Sequence, residues 1–334
     1  MKQSIWSGKA ITINPPCKIN LHLTVKEQRP DGFHNLESIF AALGLSDTLY
    51  IRILPGNRSR TALLVQNEGL MEKLARKGQY FPAIPAEKNL IYQAVELFRI
   101  KTAFSANLAI RHIMRIPPGS GLGGSSSNAA AVLLSLNNLN RGSRLSREEI
   151  LDLAIQLGCD VPYFIDIALN RRIQSTIRAA SGKGEILDPL PALPQLGILL
   201  VFPGFSSYTA AAYKQLDKKR QNQKKPPDKA FPPAYWNFSN DFLELFLNYS
   251  DEQQKSAYQT ILQDLEGVGA IFSGLSGSGS ACFGIFTSQK EAEQARKKLI
   301  GKFYVVERSF FLRYQKTRGT IGVNQNGKNY LFCD

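Results

Sequence analysis

The sequence predicts a protein of two domains in which helices and strands are mixed. The chain has 334 residues, which is room for two domains of ordinary size. Residues 16–25 alternate strictly between apolar and polar side chains, the pattern of a strand with two different faces. Residues 117–130 are rich in glycine and serine, and they follow an apolar segment that predicts a strand and precede an alanine- and leucine-rich segment that predicts a helix.

The composition excludes several classes of protein. Apolar residues make up 43% of the chain and charged residues 20%, as in ordinary globular proteins. No apolar run approaches the roughly 20 residues of a membrane helix, and the first residues show no apolar signal-peptide core. The cysteines show neither metal-ligand spacing nor a disulfide framework: Cys17, Cys159, Cys282 and Cys333. We therefore expect a cytoplasmic protein with buried free thiols and no membrane partner.

The chain is strongly basic, with 41 Lys and Arg against 27 Asp and Glu. Such a balance fits nucleic acid, an anionic membrane or negatively charged small substrates. Part of the charge lies in residues 214–229, which have almost no apolar side chains and include two prolines. This run predicts a solvated, flexible insertion. A passive loop is favoured over a binding patch, because nucleic-acid readers usually add aromatic residues or a recognisable module. We expect residues 218–229 to be dispensable for catalysis.

The first strand carries apolar side chains from Cys17 to Val25 on one face and three larger polar groups on the other, Lys18, Asn20 and His22. The default interpretation of the polar face is contact with solvent. The alternative is a row of donors suited to a phosphate and a polar ring. The turn Pro30-Asp31-Gly32 follows and brings Phe33 and His34 to the mouth of the site that the strand faces.

Strands continue over residues 39–54, with Ser46-Asp47 as a turn. Residues 87–98 predict an amphipathic helix, and for Asn89 near its start we favour a cap over a ligand contact. The next cap is stronger, because Ser146 and Glu149 have the spacing of a capping box and the helix that they open ends at Gly158.

Asp160 follows Gly158 directly and stands between Cys159 and an apolar segment. It therefore needs a partner, and by itself it is more often a capping or structural aspartate. Further along, residues 196–202 predict a buried strand and residues 210–216 a helix. A second glycine loop over residues 273–286 could, taken alone, be a flexible turn between strands.

The first glycine loop suits an anion. Four glycines among residues 119–124 let the backbone adopt positive φ and approach a ligand closely, and the helix that follows presents free N–H groups. Serines at the turn are candidate caps, and a tight turn without ligand is the alternative. The loop is not a Walker A loop, since no lysine follows Gly124. It is not a dinucleotide fingerprint either, since a basic loop over residues 140–144 stands where that fingerprint requires an acidic residue.

The pattern Pro-x-x-x-Gly-Leu-Gly-Gly-x-Ser-Ser, which begins at Pro117, resembles the nucleotide loop of the GHMP kinases. Cys-Lys-Ile-Asn-Leu from Cys17, followed by Arg-Pro-Asp-Gly-Phe-His-x-Leu from Arg29, narrows the resemblance to one family of these enzymes, the 4-diphosphocytidyl-2-C-methyl-D-erythritol kinases. Gly-x-Asp-Val-Pro-x-Phe from Gly158, an Asn-Asp element and the second glycine loop also match in order. The resemblance implies that the second loop closes over the phosphates beside the first. The resemblance spans about residues 10–312.

The resemblance implies an α+β fold, with an N-terminal domain over residues 1–180 like domain 2 of ribosomal protein S5 and a ferredoxin-like C-terminal domain over residues 181–334. The implied activity is transfer of the ATP γ-phosphate to the 2-hydroxyl of diphosphocytidyl-methylerythritol in the non-mevalonate isoprenoid pathway. ATP and Mg²⁺ are the implied cofactors. No carboxylate is an evident metal ligand, and Ser127 and the ATP phosphates are our candidates. The expected partner is the small cytidine diphosphate substrate, without nucleic acid, for a monomer or weak homodimer.

The resemblance also assigns residues. It implies that Asp160 takes the hydroxyl proton and that Lys18 holds Asp160 ionised and neutralises the transferring phosphoryl group. The residues implied in ATP binding are Asn89, Pro118, Gly119, Ser120, Gly121, Leu122, Gly123, Gly124, Ser125, Ser126 and Ser127. Those implied in substrate binding are Asn20, Phe33, His34, Asn240, Asp241, Gly277, Ser278 and Gly279.

The chain departs from the family pattern in two places. Phe33 stands where the family commonly has tyrosine, so stacking on cytosine survives and a hydroxyl contact does not. The link over residues 166–178 is longer and more basic than the family's, which leaves its effect on the site open. Two alternatives remain. A GHMP kinase for another alcohol would not need Phe33 and His34, and a nucleic-acid-binding protein on an S5-like fold would not need Lys18, Asp160 or two phosphate loops.

Overall fold

The structure, a computed structural model, describes residues 11–56, 58–82, 84–140, 142, 144–170, 175–220 and 238–312. Its strands are β1 (Ile11–Ile13), β2 (Pro16–Gln28), β3 (His34–Ser46), β4 (Thr48–Leu54), β5 (Thr61–Asn67), β6 (Asn107–Met114), β7 (Arg178–Ser181), β8 (Ile186–Pro189), β9 (Gly197–Phe202), β10 (Phe272–Leu275), β11 (Cys282–Phe286) and β12 (Val305–Phe310). Its α-helices are α1 (Leu70–Arg76), α2 (Leu90–Thr102), α3 (Gly124–Leu139), α4 (Arg147–Leu157), α5 (Val161–Leu169), α6 (Thr209–Arg220), α7 (Asp241–Tyr249), α8 (Glu252–Gly267) and α9 (Gln289–Leu299).

The strands form three sheets of four strands across these residues. The orders are β1-β4-β6-β5, β2-β3-β7-β8 and β10-β11-β9-β12. The last sheet is antiparallel throughout. Its strands and helices follow one another along the chain as β-α-β-β-α-β, if the helices between β9 and β10 are counted as one connection. That succession and sheet order define a ferredoxin-like domain, so the α+β prediction and the ferredoxin-like prediction are confirmed. The β7–β8 hairpin spans residue 180, and a domain boundary there stays a prediction.

The apolar cores explain the layering. One core lies between helices α2–α5 and strands of the first two sheets, with Phe40, Phe98 and Leu133 among its residues. A second joins β2 and β3 to the ferredoxin-like sheet, through Leu43 and Leu200. Strand β9 alternates between two faces, so its neighbouring side chains enter a third core, on the α7–α9 side. Each fully buried Leu or Phe side chain contributes roughly 1.5–3 kcal/mol.

Local rules predicted the helix starts well, with one exception. The Asn89 side chain accepts from the Ile91 N–H at 3.0 Å, and the capping box of Ser146 and Glu149 is formed. The prediction that serines cap the helix after the first glycine loop is wrong, because its N-cap is Gly123, without a side-chain cap. That exception leaves N–H groups of the first turn of α3 available to a ligand.

The structure decides three points that the sequence left open or predicted differently. Of the two interpretations of the polar face of β2, contact with solvent is excluded, because Lys18, Asn20 and His22 are only 3%, 4% and 6% exposed. The link over residues 166–178, which departs from the family pattern, begins as helix, because α5 continues to Leu169. Residues 171–174 of this link lie outside the described residues. The helix predicted over residues 210–216 extends as far as Arg220. The flexible insertion predicted over residues 214–229 is therefore wrong for residues 214–220, and residues 221–229 lie outside the described part of the chain.

Three cysteines fall within the described residues. Cys17 and Cys282 are buried and Cys159 is half-buried, and all three are free thiols. Cys333 lies outside the described residues. Among the helices that the structure describes, none combines the length and apolar character that crossing a bilayer requires.

Candidate active site

A cavity of about 1170 Å³ brings together most of the residues that the sequence singled out. Its lining includes Lys18 and Asp160, the first glycine loop, Asn89, and both Phe33 and His34. Gly277 and Ser278 of the second glycine loop also line it. The cavity therefore combines a glycine loop, an ion pair and an aromatic ring, from segments far apart in the chain.

The first glycine loop connects β6 to α3 in a conformation that requires glycine. Gly119, Gly121 and Gly123 have φ of +69°, +75° and +69°, the left-handed region that other residues rarely adopt. The loop ends at the amino terminus of α3, whose first N–H groups have no intrahelical acceptor. Ser125 and Ser126 line the cavity there. A phosphate group fits this arrangement of free N–H groups and helix dipole.

The second glycine loop lies directly against the first. The N–H groups of Ser280 and Ala281 donate to the carbonyls of Gly119 and Ser120, at 3.2 and 3.1 Å. The Ser276 hydroxyl donates to the Gly121 carbonyl at 3.0 Å. These contacts explain why both loops contain glycine, since a side chain at Gly121 would meet the backbone of the second loop. The second loop therefore lies beside the first, as the resemblance implied, and the alternative of an isolated flexible turn is excluded.

Lys18 and Asp160 meet at the cavity wall. The Lys18 Nζ is 3.3 Å from the Asp160 Oδ2, and the Lys18 side chain is almost completely buried while that of Asp160 is 30% exposed. Asp160 occupies the N-cap position of α5 but makes no capping hydrogen bond. It is therefore free to receive a proton, which a capping carboxylate would not be.

A row of hydrogen bonds behind Lys18 holds its ammonium group. The Lys18 Nζ donates to the Asn20 Oδ1 at 2.6 Å, and the Asn20 Nδ2 donates to the Ser38 Oγ at 2.8 Å. The Ser38 hydroxyl in turn donates to the His22 carbonyl at 2.7 Å. Asn20 lines the cavity, yet both ends of its amide are used within the protein. Its predicted contact with substrate stays a prediction, and its observed contacts orient Lys18.

Phe33 and His34 lie at the mouth of the cavity in different environments. Phe33 is 51% exposed, and the Lys183 Nζ lies 4.7 Å from its ring centroid. His34 is buried, and its Nε2 is 2.8 Å from the Asp217 Oδ1. An exposed ring beside a cation offers a surface on which a planar heterocycle can stack.

Asn240 and Asp241 have structural contacts outside the cavity lining. The Asn240 amide caps α7 and donates to the carbonyls of Leu275 and Gly277, at 2.8 and 2.9 Å. The Asp241 carboxylate accepts from the Val25 N–H at 2.8 Å. These two side chains therefore connect the second glycine loop and α7 to β2. Binding of substrate by either of them, or by Gly279, stays a prediction.

Sequence reasoning missed a buried polar cluster under the first glycine loop. Asp47, read only as part of a turn, is 1% exposed. Its carboxylate accepts from the N–H groups of Arg115 and Ile116 at 2.7 and 2.8 Å, and from the side chains of His112 and Asn128 at 2.8 and 2.7 Å. The cluster joins β6 to α3 at both ends of the loop. The sequence signal that could have indicated this cluster is the acidic side chain of Asp47 between two largely apolar strands.

A magnesium ion fits only a site shared with the nucleotide. Within the described residues, no group of three His, Cys, Asp or Glu side chains could hold a metal ion. Ser127 in the first turn of α3 is fully buried, and its hydroxyl has no hydrogen-bond partner among the described residues. Mg²⁺ commonly takes one or two protein oxygens and completes its shell with substrate phosphates and water. The unpartnered Ser127 hydroxyl is the candidate oxygen donor, although Ser127 itself does not line the cavity and its neighbours Ser126 and Asn128 do.

The pKa of the Cys159 thiol depends on the charge of its neighbour Asp160. Burial raises the pKa of its thiol above the usual value of 9.0, and the negative charge of Asp160 raises the pKa further. We expect slow alkylation of Cys159 by iodoacetamide at pH 8, because only the thiolate reacts. Asp160→Asn should speed the reaction, since it removes a negative charge beside the thiol. Peptide mass spectrometry resolves the cysteines, and an unchanged rate in the variant would contradict this account.

Comparison with known protein families agrees with this geometry. The family model for the GHMP kinases N terminal domain matches residues 89–166, and the model for GHMP kinases C terminal matches residues 234–306. The first match includes the first glycine loop and Asp160, and the second includes the second glycine loop.

Similar proteins cover nearly the whole chain. It is 32% identical to the 4-diphosphocytidyl-2-C-methyl-D-erythritol kinase of Xanthomonas axonopodis pv. citri (strain 306), over 86% of this chain and 85% of that protein. The enzyme of the same name from Prochlorococcus marinus (strain AS9601) is 33% identical, over 88% of this chain and 90% of that protein. A crystal structure of 4-(cytidine 5'-diphospho)-2C-methyl-D-erythritol kinase matches with a TM-score of 0.68 and 26% identity, over 90% of this chain and 99% of that chain.

Proposed function

The chain belongs to the 4-diphosphocytidyl-2-C-methyl-D-erythritol kinases, a family of GHMP kinases, and from this premise we propose that it transfers the γ-phosphate of ATP to the 2-hydroxyl of diphosphocytidyl-methylerythritol. The observation that carries the proposal is the pair of Lys18 Nζ and Asp160 Oδ2, 3.3 Å apart in the wall of the cavity. A carboxylate beside an ammonium group, next to a phosphate-binding loop, suits proton removal from an alcohol.

Asp160 accepts the proton of the substrate hydroxyl as the oxygen attacks the γ-phosphorus. The Lys18 ammonium, oriented by Asn20, balances the charge of the Asp160 carboxylate and of the transferring phosphoryl group. The N–H groups at the start of α3 hold the phosphates in line. Phosphoryl transfer depends mainly on positioning and electrostatic stabilisation, which these fixed groups provide without reorganisation.

Mg²⁺, bound with the nucleotide, would supply positive charge that offsets the charge of the phosphates. We assign its protein ligand to the Ser127 hydroxyl. This assignment rests on a buried hydroxyl without a partner among the described residues. Few protein ligands are needed, because the nucleotide provides the others.

The activity is tested directly by ADP release from purified protein with Mg-ATP. Three alcohols are compared: diphosphocytidyl-methylerythritol, mevalonate and homoserine. We expect turnover with the first and none with the other two. Turnover with mevalonate or homoserine alone would assign the chain to a different alcohol, and a lack of turnover with all three would contradict the proposed reaction.

The exposed ring of Phe33 provides a test of substrate binding. A ring stacked on a base contributes about 1–3 kcal/mol, so Phe33→Ala should raise KM for the cytidine substrate roughly 5- to 150-fold. KM for ATP should hardly change. Phe303→Ala is a matched control, since both rings are 51% exposed and Phe303 does not line the cavity. Equal rises in both KM values would show that Phe33 supports the fold rather than the substrate.

A further inference from the structure

Helix α6 contributes a second set of contacts to the mouth of the cavity. Tyr213 and Asp217 are four residues apart, so they lie on one face of this helix, and both reach His34. The Tyr213 ring stacks on the His34 ring, with centroids 5.1 Å apart and planes 28° apart. The Asp217 Oδ1 is 2.8 Å from the His34 Nε2. The stack sets the plane of the imidazole, and the carboxylate sets its rotation within that plane.

The position of Asp217 is itself held by contacts at the end of α6. Arg220 donates to the Val25 carbonyl at 2.6 Å and pairs with Asp241 at 2.7 Å. Val25 belongs to β2, and Asp241 belongs to α7, which contacts β2. The last turn of α6 is therefore tied to the strand that carries Lys18, and Asp217 is fixed relative to the cavity.

A carboxylate opposite a histidine decides which ring nitrogen carries the proton. An ionised aspartate only accepts hydrogen bonds, so the Nε2 of His34 must be the protonated nitrogen. In the neutral ring, Nδ1 is then an acceptor. Within the part of the chain that the structure describes, Nδ1 has no hydrogen-bond partner. His34 lines the cavity and is only 7% exposed, which leaves this acceptor for a ligand in the cavity.

We propose that Asp217 is a positioning residue that makes His34 an acceptor and thereby selects an aminopyrimidine over an oxopyrimidine. The proposal rests on the proposed function for the identity of the ligand. Cytosine presents an exocyclic amino group, a donor, where uracil presents a carbonyl oxygen, an acceptor. The acceptor nitrogen of His34 can therefore accept a hydrogen bond from the amino group of cytosine. It would face the carbonyl oxygen of uracil without a hydrogen bond, and an unpaired buried polar group lowers affinity.

The first test measures the imidazole itself, without substrate. The protein contains three histidines, so ¹⁵N–¹H correlation spectra at pH 8 can be assigned with His34→Gln. We expect the neutral ring of His34 with its proton on Nε2, and a mixture of both tautomers in Asp217→Asn, because an amide can accept or donate. A proton on Nδ1 in the wild-type protein, or protons on both nitrogens, would overturn the proposal.

The second test measures selectivity. We compare kcat/KM for the diphosphocytidyl alcohol and its diphosphouridyl counterpart, in the wild-type protein, Asp217→Asn and the control Asp188→Asn, an exposed residue of β8. The cytidine preference should fall about two- to tenfold in Asp217→Asn, the range for one hydrogen bond, with kcat and KM for ATP unchanged. An unchanged preference would overturn the proposal. Absence of turnover with either substrate would contradict the proposed function, and the spectra would still decide the role of Asp217.

Discussion

Asp160→Asn should lower kcat about 10²–10⁴-fold, the usual contribution of a general base. The amide cannot take the proton of the attacking hydroxyl, although it fills the same volume. The fold should persist, because Asp160 makes no capping hydrogen bond and its side chain is 30% exposed. ATP affinity should persist as well, since the glycine loops are unaltered. Single-turnover kinetics isolate the chemical step from product release.

The control for this experiment is Asp152→Asn, which removes an exposed carboxylate on the outer side of α4. It should leave kcat and KM unchanged. Thermal unfolding of both variants separates loss of chemistry from loss of fold. A chemical rate in Asp160→Asn close to that of the wild-type protein would remove Asp160 from the mechanism.

Gly121→Ala should reduce kcat/KM for ATP about 10²-fold, the order of loss that follows a 1 Å displacement of a positioning group. Gly121 has φ of +75°, and an added Cβ would clash with the Ser276 carbonyl and lie 2.9 Å from that of Gly279. Both obstacles are backbone atoms, which cannot rotate away as a side chain can. The two glycine loops must therefore separate, and the phosphate site between them opens. ATP titration calorimetry and steady-state kinetics measure the effect.

The effect of backbone strain at a positive φ must be distinguished from the effect of the clash between the two loops. Gly269→Ala is the matched control, because its φ is +96° and nothing lies within 4 Å of an added Cβ. It should cost about 1–2 kcal/mol in the free energy of unfolding and leave the kinetic constants for ATP unchanged. If Gly121→Ala behaves like Gly269→Ala in kinetics and unfolding, contact between the loops is not needed for ATP binding.

The local features of this protein follow from its sequence, because they depend on neighbours within one helical turn. The capping box of Ser146 and Glu149 needs only their spacing, and Asn89 caps α2 for the same reason. The alternating pattern from Cys17 predicts a strand, since successive side chains of a strand point to opposite faces. The family resemblance adds the order of the motifs, and with it the family and the reaction class.

The long-range contacts depend on the tertiary structure, because sheet register and packing bring together residues that no local rule relates. Asp47 looks like a turn residue in the sequence, and only the structure shows it buried beside His112 and Asn128. His34 and Asp217 are 183 positions apart. Their contact requires that α6 pack across the end of β3.

The same distinction explains the alternatives that the sequence left open. A polar row on β2 looks solvated by its pattern alone, yet a sheet with cores on both sides has no solvated face, and Lys18 and Asn20 are buried with partners. The second glycine loop looks like a flexible turn until the first loop is packed against it. The sequence by itself therefore determined several of the elements and, through the order of its motifs, the family. The tertiary structure decided which polar groups are buried, which pairs meet and which atoms remain free for a ligand, because burial and pairing are properties of packed surfaces and not of the chain alone.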